Sequence, residues 1–233
     1  GLIAGGCFQD PLGDGVDLLC ASTHKTFAGP QHGIILANED RELNNGKRLH
    51  RAIRSSVFPG VHSNHHLHNV AALGVSLAEA QEFQVDYAKQ MISNAKALGE
   101  SLWNRGMKVF ASDQGFTESH TLLVDVSEFG GGAEVSLRAE DCGLVMNKNM
   151  LPGDTSAINP SGIRIGSPEM TRLGMKESEM DEVAELIHLS AVGGNDSEVR
   201  QRARLLKEEF NQIHYCWPTE SSAYDAPTFS PFN

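Results

Sequence analysis

No apolar run in this sequence approaches the roughly 20 residues that cross a bilayer as a helix. No positively charged start precedes an apolar core, so no secretory leader is read from it either. The chain also lacks a basic excess. Nineteen basic residues against 30 acidic ones give a formal net charge of −11 and a pI near 5.3. Nucleic acids and anionic membrane surfaces both require a basic patch, so neither is an expected partner. Cysteine is scarce and badly spaced for metals. Cys7, Cys20, Cys142 and Cys216 form no C-x-x-C pair, which argues against zinc-ribbon and thioredoxin readings and leaves reduced thiols in a cytoplasmic protein as the expectation. No internal repeat is found. An initiating methionine is missing as well: Gly1 opens directly into apolar, glycine-rich sequence, as an internal cut or fragment would.

What is present is an ordinary globular balance, 40% hydrophobic and 21% charged over 233 residues. Gly1 to Ile3, Asp17 to Cys20 and Ile34 to Ala37 read as short strands buried on both faces, as in a covered sheet. A helical segment is expected around Leu43, Lys47, Leu49 and Ile53, and Pro59-Gly60 marks a turn. From about Asn64 to Arg105, Leu67, Val70, Leu73, Leu77, Ala80 and Phe83, then Tyr87, Met91, Ala95, Leu98 and Leu102, recur every three or four residues. That is a helical stripe long enough to suggest a kink or a short interruption. Strands follow at Met107–Ala111, Thr121–Val126 and Ile163–Gly166. Helices are expected at Ala133–Ala139, Ser178–Ala191 and Ser197–Gln212. The pattern predicts an α/β chain: residues 1–75 as part of a parallel-sheet domain, 76–213 as a smaller α+β domain, and 214–233 as an extended tail.

Three places could carry chemistry. Lys25 follows a strand in Ser22-Thr23-His24-Lys25-Thr26-Phe27-Ala28-Gly29-Pro30. A lysine held there and buried would lose its proton readily and could bond an aldehyde. For a lone lysine a surface position is the better wager, but the hydroxyl and imidazole neighbours and the Gly-Pro turn change the odds. Arg164, in Ser161-Gly162-Ile163-Arg164-Ile165-Gly166, is expected on a strand that fixes its guanidinium. It could pair with a nearby acid or grip a carboxylate with two hydrogen bonds. His62, His65, His66 and His68 cluster beside Ser63 and Asn64. No H-E-x-x-H spacing supports a metal, whereas Ser63 and Asn64 are good N-cap residues, and a helix N-terminus attracts phosphate.

Together the Thr-His-Lys segment with Gly29-Pro30, Val57-Phe58-Pro59-Gly60, Asn147-Lys148-Asn149 and Ser161–Gly166 resemble the serine hydroxymethyltransferase family over roughly residues 1–212. The resemblance implies an aspartate-aminotransferase-like, pyridoxal-phosphate-dependent fold. It also implies a homodimer or tetramer with active sites at the subunit interface, and one-carbon transfer between serine and tetrahydrofolate. It makes Lys25 the lysine that bonds the cofactor, with His24 over the cofactor and Ser22 a hydroxyl near its ring, and it puts Ser63 and Asn64 where the partner subunit offers a Gly-Gly pair to the cofactor phosphate. Arg164 becomes the holder of the amino-acid carboxylate, Asn149 a pterin contact, and Ser156 part of the stretch near the folate tail. Departures from the family pattern at Gln31-His32-Gly33, Val61–His65 and Ser156-Ala157-Ile158 keep a second possibility open, a folate-independent threonine transaldolase or aldolase acting on a foreign aldehyde. A third is a truncated, non-catalytic piece, because the family's remaining cofactor residues belong upstream of Lys25.

Overall fold

A computed structural model describes residues 1–219 and 222–225. The chain is mixed α/β and divides into two compact units, Gly1–Val85 and the residues from Asp86 onward.

The first unit is thinly built. Strands β1 (Leu19–Ser22) and β2 (Gly33–Leu36) pair antiparallel, Leu19 opposite Leu36 and Ser22 opposite Gly33. A short helix α1 (Leu49–Ser55) follows, then a wide turn over Ser56–Val61 with a cis Phe58–Pro59 bond. Only Leu2, Gly5, Thr23, Leu49 and Gln84 are buried in this unit. Two expectations are corrected here. Gly1–Ile3 forms turns rather than a strand. The two strands that do form show no buried residue on either face, because a two-stranded hairpin has no second layer to cover it.

Helix α2 (Leu67–Asn104) is helical throughout, without the short interruption that its length suggested. Its start at Leu67 places Ser63 and Asn64 outside the capping position; the first turn instead closes from Val70 N–H to His66 O. The apolar stripe divides in character along the helix. Leu67, Val70 and Leu77 are exposed, whereas Ala88, Met91, Ala95, Leu98 and Leu102 are sealed from solvent.

The second unit is a core-bearing α+β layer. Strands β3 (Lys108–Val109), β4 (Thr121–Asp125), β5 (Asn147–Asn149) and β6 (Gly162–Gly166) form an antiparallel sheet in the order β3-β4-β6-β5. Alternation does the rest. Leu122 and Val124 of β4 and Ile163 and Ile165 of β6 point into the core with Leu98 and Leu102, while Leu123 and Arg164 stand opposite each other on the other face. Helices α3 (Gly132–Asp141), α4 (Pro168–Arg172), α5 (Met180–Val192) and α6 (Asp196–Glu209) complete the unit. Among the described residues no helix is long and apolar enough to cross a membrane. After α6 the chain is irregular but anchored: the Tyr215 ring stacks on Tyr87 at 5.1 Å while Arg172 donates to the Tyr215 carbonyl at 3.0 Å, and Ala223 N–H donates to Asn211 O at 2.7 Å. The rest of the tail expectation falls partly on residues 220, 221 and 226–233, outside the described residues.

Leu98→Ala, which empties a fully buried site, is expected to destabilise the second unit by about 2–5 kcal/mol in urea unfolding. Hydrogen bonds from Arg105 and Ser101 hold the Asp181 carboxyl down to about 2. A depressed carboxylate pKa means stability that is present above the unfolded value and lost as pH falls. Resistance to urea should therefore drop between about pH 4 and pH 2, and Asp181→Asn should flatten that part of the profile.

Candidate active site

The loop joining β1 to β2 is closed by its own backbone. Thr23 N–H donates to His32 O at 3.1 Å, and Gly29 N–H donates to Thr23 O at 2.8 Å. The Thr23 side chain is buried (3% exposed) and turns inward, its hydroxyl donating to Pro30 O at 2.6 Å with His32 O as a longer acceptor at 3.2 Å. A Cβ at Gly29 would lie 2.7 Å from Thr23 O, so only glycine permits this approach. With Thr23 folded in, the next two side chains, His24 and Lys25, are thrown outward. They line an open depression of about 560 Å³ with Cys20, Ala21, Ser22, Gln31, His32 and Gly33. The hairpin thus gathers Ser22, His24 and Lys25, three of the residues singled out in the sequence.

The burial expected of Lys25 is corrected: its side chain is exposed. The cause is the one that leaves the strands bare, a hairpin with no covering layer within its own unit. Ser63 and Asn64 do not line the depression. Both are exposed, and the Asn64 amide oxygen accepts from His65 N–H at 2.9 Å. Among the described residues no three His, Cys, Asp or Glu side chains gather as a metal site would require.

In the second unit Arg164 sits in β6, the strand expected of it, on the sheet face away from the core. Its neighbour across β5 is Asn147, whose side-chain oxygen lies 3.4 Å from Arg164 Nη2. Asn149 ends β5 opposite Gly162, and Ser156 lies in the exposed loop beyond it. Sequence reasoning passed over His120, immediately before β4. Its Nδ1 is buried without a hydrogen-bond partner among the described residues. Burial, reinforced by the positive charge of Arg164, lowers its pKa and favours the neutral imidazole. Its position directly ahead of the Thr121–Val126 strand was the available signal.

The comparisons agree with one another. The profile of the serine hydroxymethyltransferase family matches residues 1–187. A serine hydroxymethyltransferase of Thermoplasma acidophilum is 51% identical over 220 residues, covering 93% of this chain and 50% of that protein. Those of Methanothermobacter thermautotrophicus and Archaeoglobus fulgidus are 49% and 48% identical, covering 96% and 97% of this chain. The chain belongs to the serine hydroxymethyltransferase family. It spans about half the length of the curated relatives it matches.

Gly29→Ala is expected to break the Gly29–Thr23 closure, and Thr23→Val to leave Pro30 O without its donor at a cost of about 1–3 kcal/mol. Amide exchange over residues 22–33 should quicken in both variants while exchange in α5 stays unchanged.

Proposed function

We propose that the whole protein is a pyridoxal-phosphate-dependent serine hydroxymethyltransferase. It would move a one-carbon unit between serine and tetrahydrofolate and release glycine. The observation that carries this is the hairpin loop that Thr23 closes, which presents the amine of Lys25 beside His24 and Ser22 in a single depression. That donor set suits an aldehyde cofactor: a primary amine is the group that bonds an aldehyde, and hydroxyl and imidazole groups can hydrogen-bond a polar ring. The depression's volume lies within the roughly 300–1,000 Å³ usual for small-molecule sites. When bound, the cofactor supplies an electron sink for the charge left on the substrate's Cα as the Cα–Cβ bond is made or broken.

The chain's own residues would divide the remaining work. Lys25 holds the cofactor and carries a proton at Nζ. Arg164 clamps the substrate carboxylate with its planar fork. Asn149 and Ser156 are proposed for the folate side, Ser63 and Asn64 for the cofactor phosphate. The Lys25 side chain is exposed, and a site for this chemistry has to exclude water, so it needs a cover. The first unit, with five buried residues and bare strands, has apolar surface to receive that cover. We assign the covering to the half of the family's length outside this chain and to a second copy in a homodimer. The family's aspartate-aminotransferase-like fold is proposed on the same ground. Residues 1–75 would then belong to the cofactor domain and 76–213 to the small domain.

The whole protein supplied with pyridoxal phosphate is expected to absorb visible light near the blue edge, and Lys25→Ala to lose that band. Aldehyde transfer from serine should require tetrahydrofolate. Folate-independent exchange of threonine's side chain with a foreign aldehyde would replace this assignment with the transaldolase one. Arg164→Lys is expected to raise the KM for serine by at least about ten-fold, because an ammonium cannot reproduce the bidentate grip.

A further inference from the structure

Between Asn149 of β5 and Gly162 of β6 the chain makes a long excursion, residues 150–161, and β5 itself is an edge strand of three residues. So short a ladder, closed by so long a loop, has little of its own to hold it in register. One carboxylate does the closing. Asp154 Oδ2 accepts from Leu151 N–H at 2.9 Å on the outgoing limb, and from Ser161 N–H at 2.8 Å and Ser161 Oγ–H at 2.9 Å on the returning limb. These three bonds fall immediately beyond the Asn149–Gly162 pair and extend the hairpin where the backbone ladder stops. Leu151 packs down on Gly162, where a Cβ would meet it at 2.5 Å. Lys148 Nζ also reaches the loop, donating to Ile158 O at 3.1 Å. All three hydrogen bonds favour the ionised carboxylate, and they pull its pKa below the usual carboxylate value.

The consequence reaches Arg164. β6 is fixed on one side by β4, but on the other the side-chain partner of the guanidinium is Asn147, whose place depends on β5 staying in register. We infer that Asp154 is a positioning residue for substrate binding: by closing the β5–β6 hairpin it keeps Asn147 beside Arg164 and so sets the orientation of the guanidinium fork. This rests on the assignment of Arg164 as the carboxylate anchor. Asp154 itself touches no substrate. Its effect would appear in amino-acid affinity and not in cofactor loading.

The test uses the whole protein loaded with pyridoxal phosphate. It measures amide exchange over residues 147–166, the Kd for glycine by calorimetry, and the visible band. Asp154→Ala is expected to quicken exchange and weaken glycine binding by about ten-fold, on the scale of lost hydrogen bonds to a charged group, with the visible band retained. Asp154→Asn keeps an oxygen that can accept from Leu151 and Ser161 and should recover most of both losses. Asn147→Ala should weaken glycine binding without the exchange change. If Asp154→Ala quickens exchange but leaves the glycine Kd unchanged while Arg164→Lys raises it, Asp154 is a loop staple only and the inference fails. If Arg164→Lys also leaves the Kd unchanged, the anchor assignment falls first. Failure of the asparagine to recover binding would likewise overturn the role.

Discussion

The Thr23 hydroxyl, buried and donated to Pro30 O, ties the outgoing limb of the β1–β2 loop to the returning one, and the presentation of Lys25 depends on that tie. A loop of this length pays chain entropy to hold its ends together and gains little from packing when its hairpin has no covering layer. Backbone bonds from Thr23 to His32 and from Gly29 to Thr23 share the load, and glycine at position 29 is what lets the two limbs approach. Turning Thr23 inward sends His24 and Lys25 outward. The local geometry of one threonine thereby decides which residues can face a ligand.

The two units show opposite solutions to stability. The unit beginning at Asp86 has a closed core in which Leu98, Leu102, Leu122, Val124, Ile163 and Met180 are almost fully removed from water. It also has charged ties such as Arg202 with Glu182, Glu185 and Glu198. Arg138 adds a further tie, donating to Phe129 O and to Ala191 O near the end of α5 at 2.6 Å each. The unit ending at Val85 buries five residues and leaves Ile35, Leu36, Leu67, Val70 and Leu77 exposed. Burial on that scale is far short of what offsets the chain entropy of so many residues. The shortfall accords with a chain that spans about half the length of its relatives.

The helices and the central sheet were legible in the sequence because their signals are periodic. The stripe through Met91, Ala95, Leu98 and Leu102 and the alternation in Leu122–Val126 report burial directly, and both recur in the structure. The same stripe through Leu67 and Leu77 has the same period but lies exposed, since periodicity marks a face able to pack and does not supply what packs on it. The strand around Arg164 was found from its apolar neighbours. β5 was not, because Asn147-Lys148-Asn149 is wholly polar and is held by pairing with β6 rather than by burial. The inward turn of Thr23 and the three bonds to Asp154 are likewise invisible in sequence, being set by loop closure and not by any repeat. The residue types at the candidate site were readable. The exposure of Lys25 was not, because burial depends on layers outside the hairpin.

The central claim is that Lys25 is the amine that bonds the cofactor. The most direct measurement is to incubate the whole protein with pyridoxal phosphate, reduce with borohydride to fix any carbon–nitrogen link, digest it and locate the added mass by peptide sequencing. The modified residue is expected to be Lys25, in the peptide carrying His24 and Thr26. A stoichiometric label on a different lysine, or none at all, would contradict it.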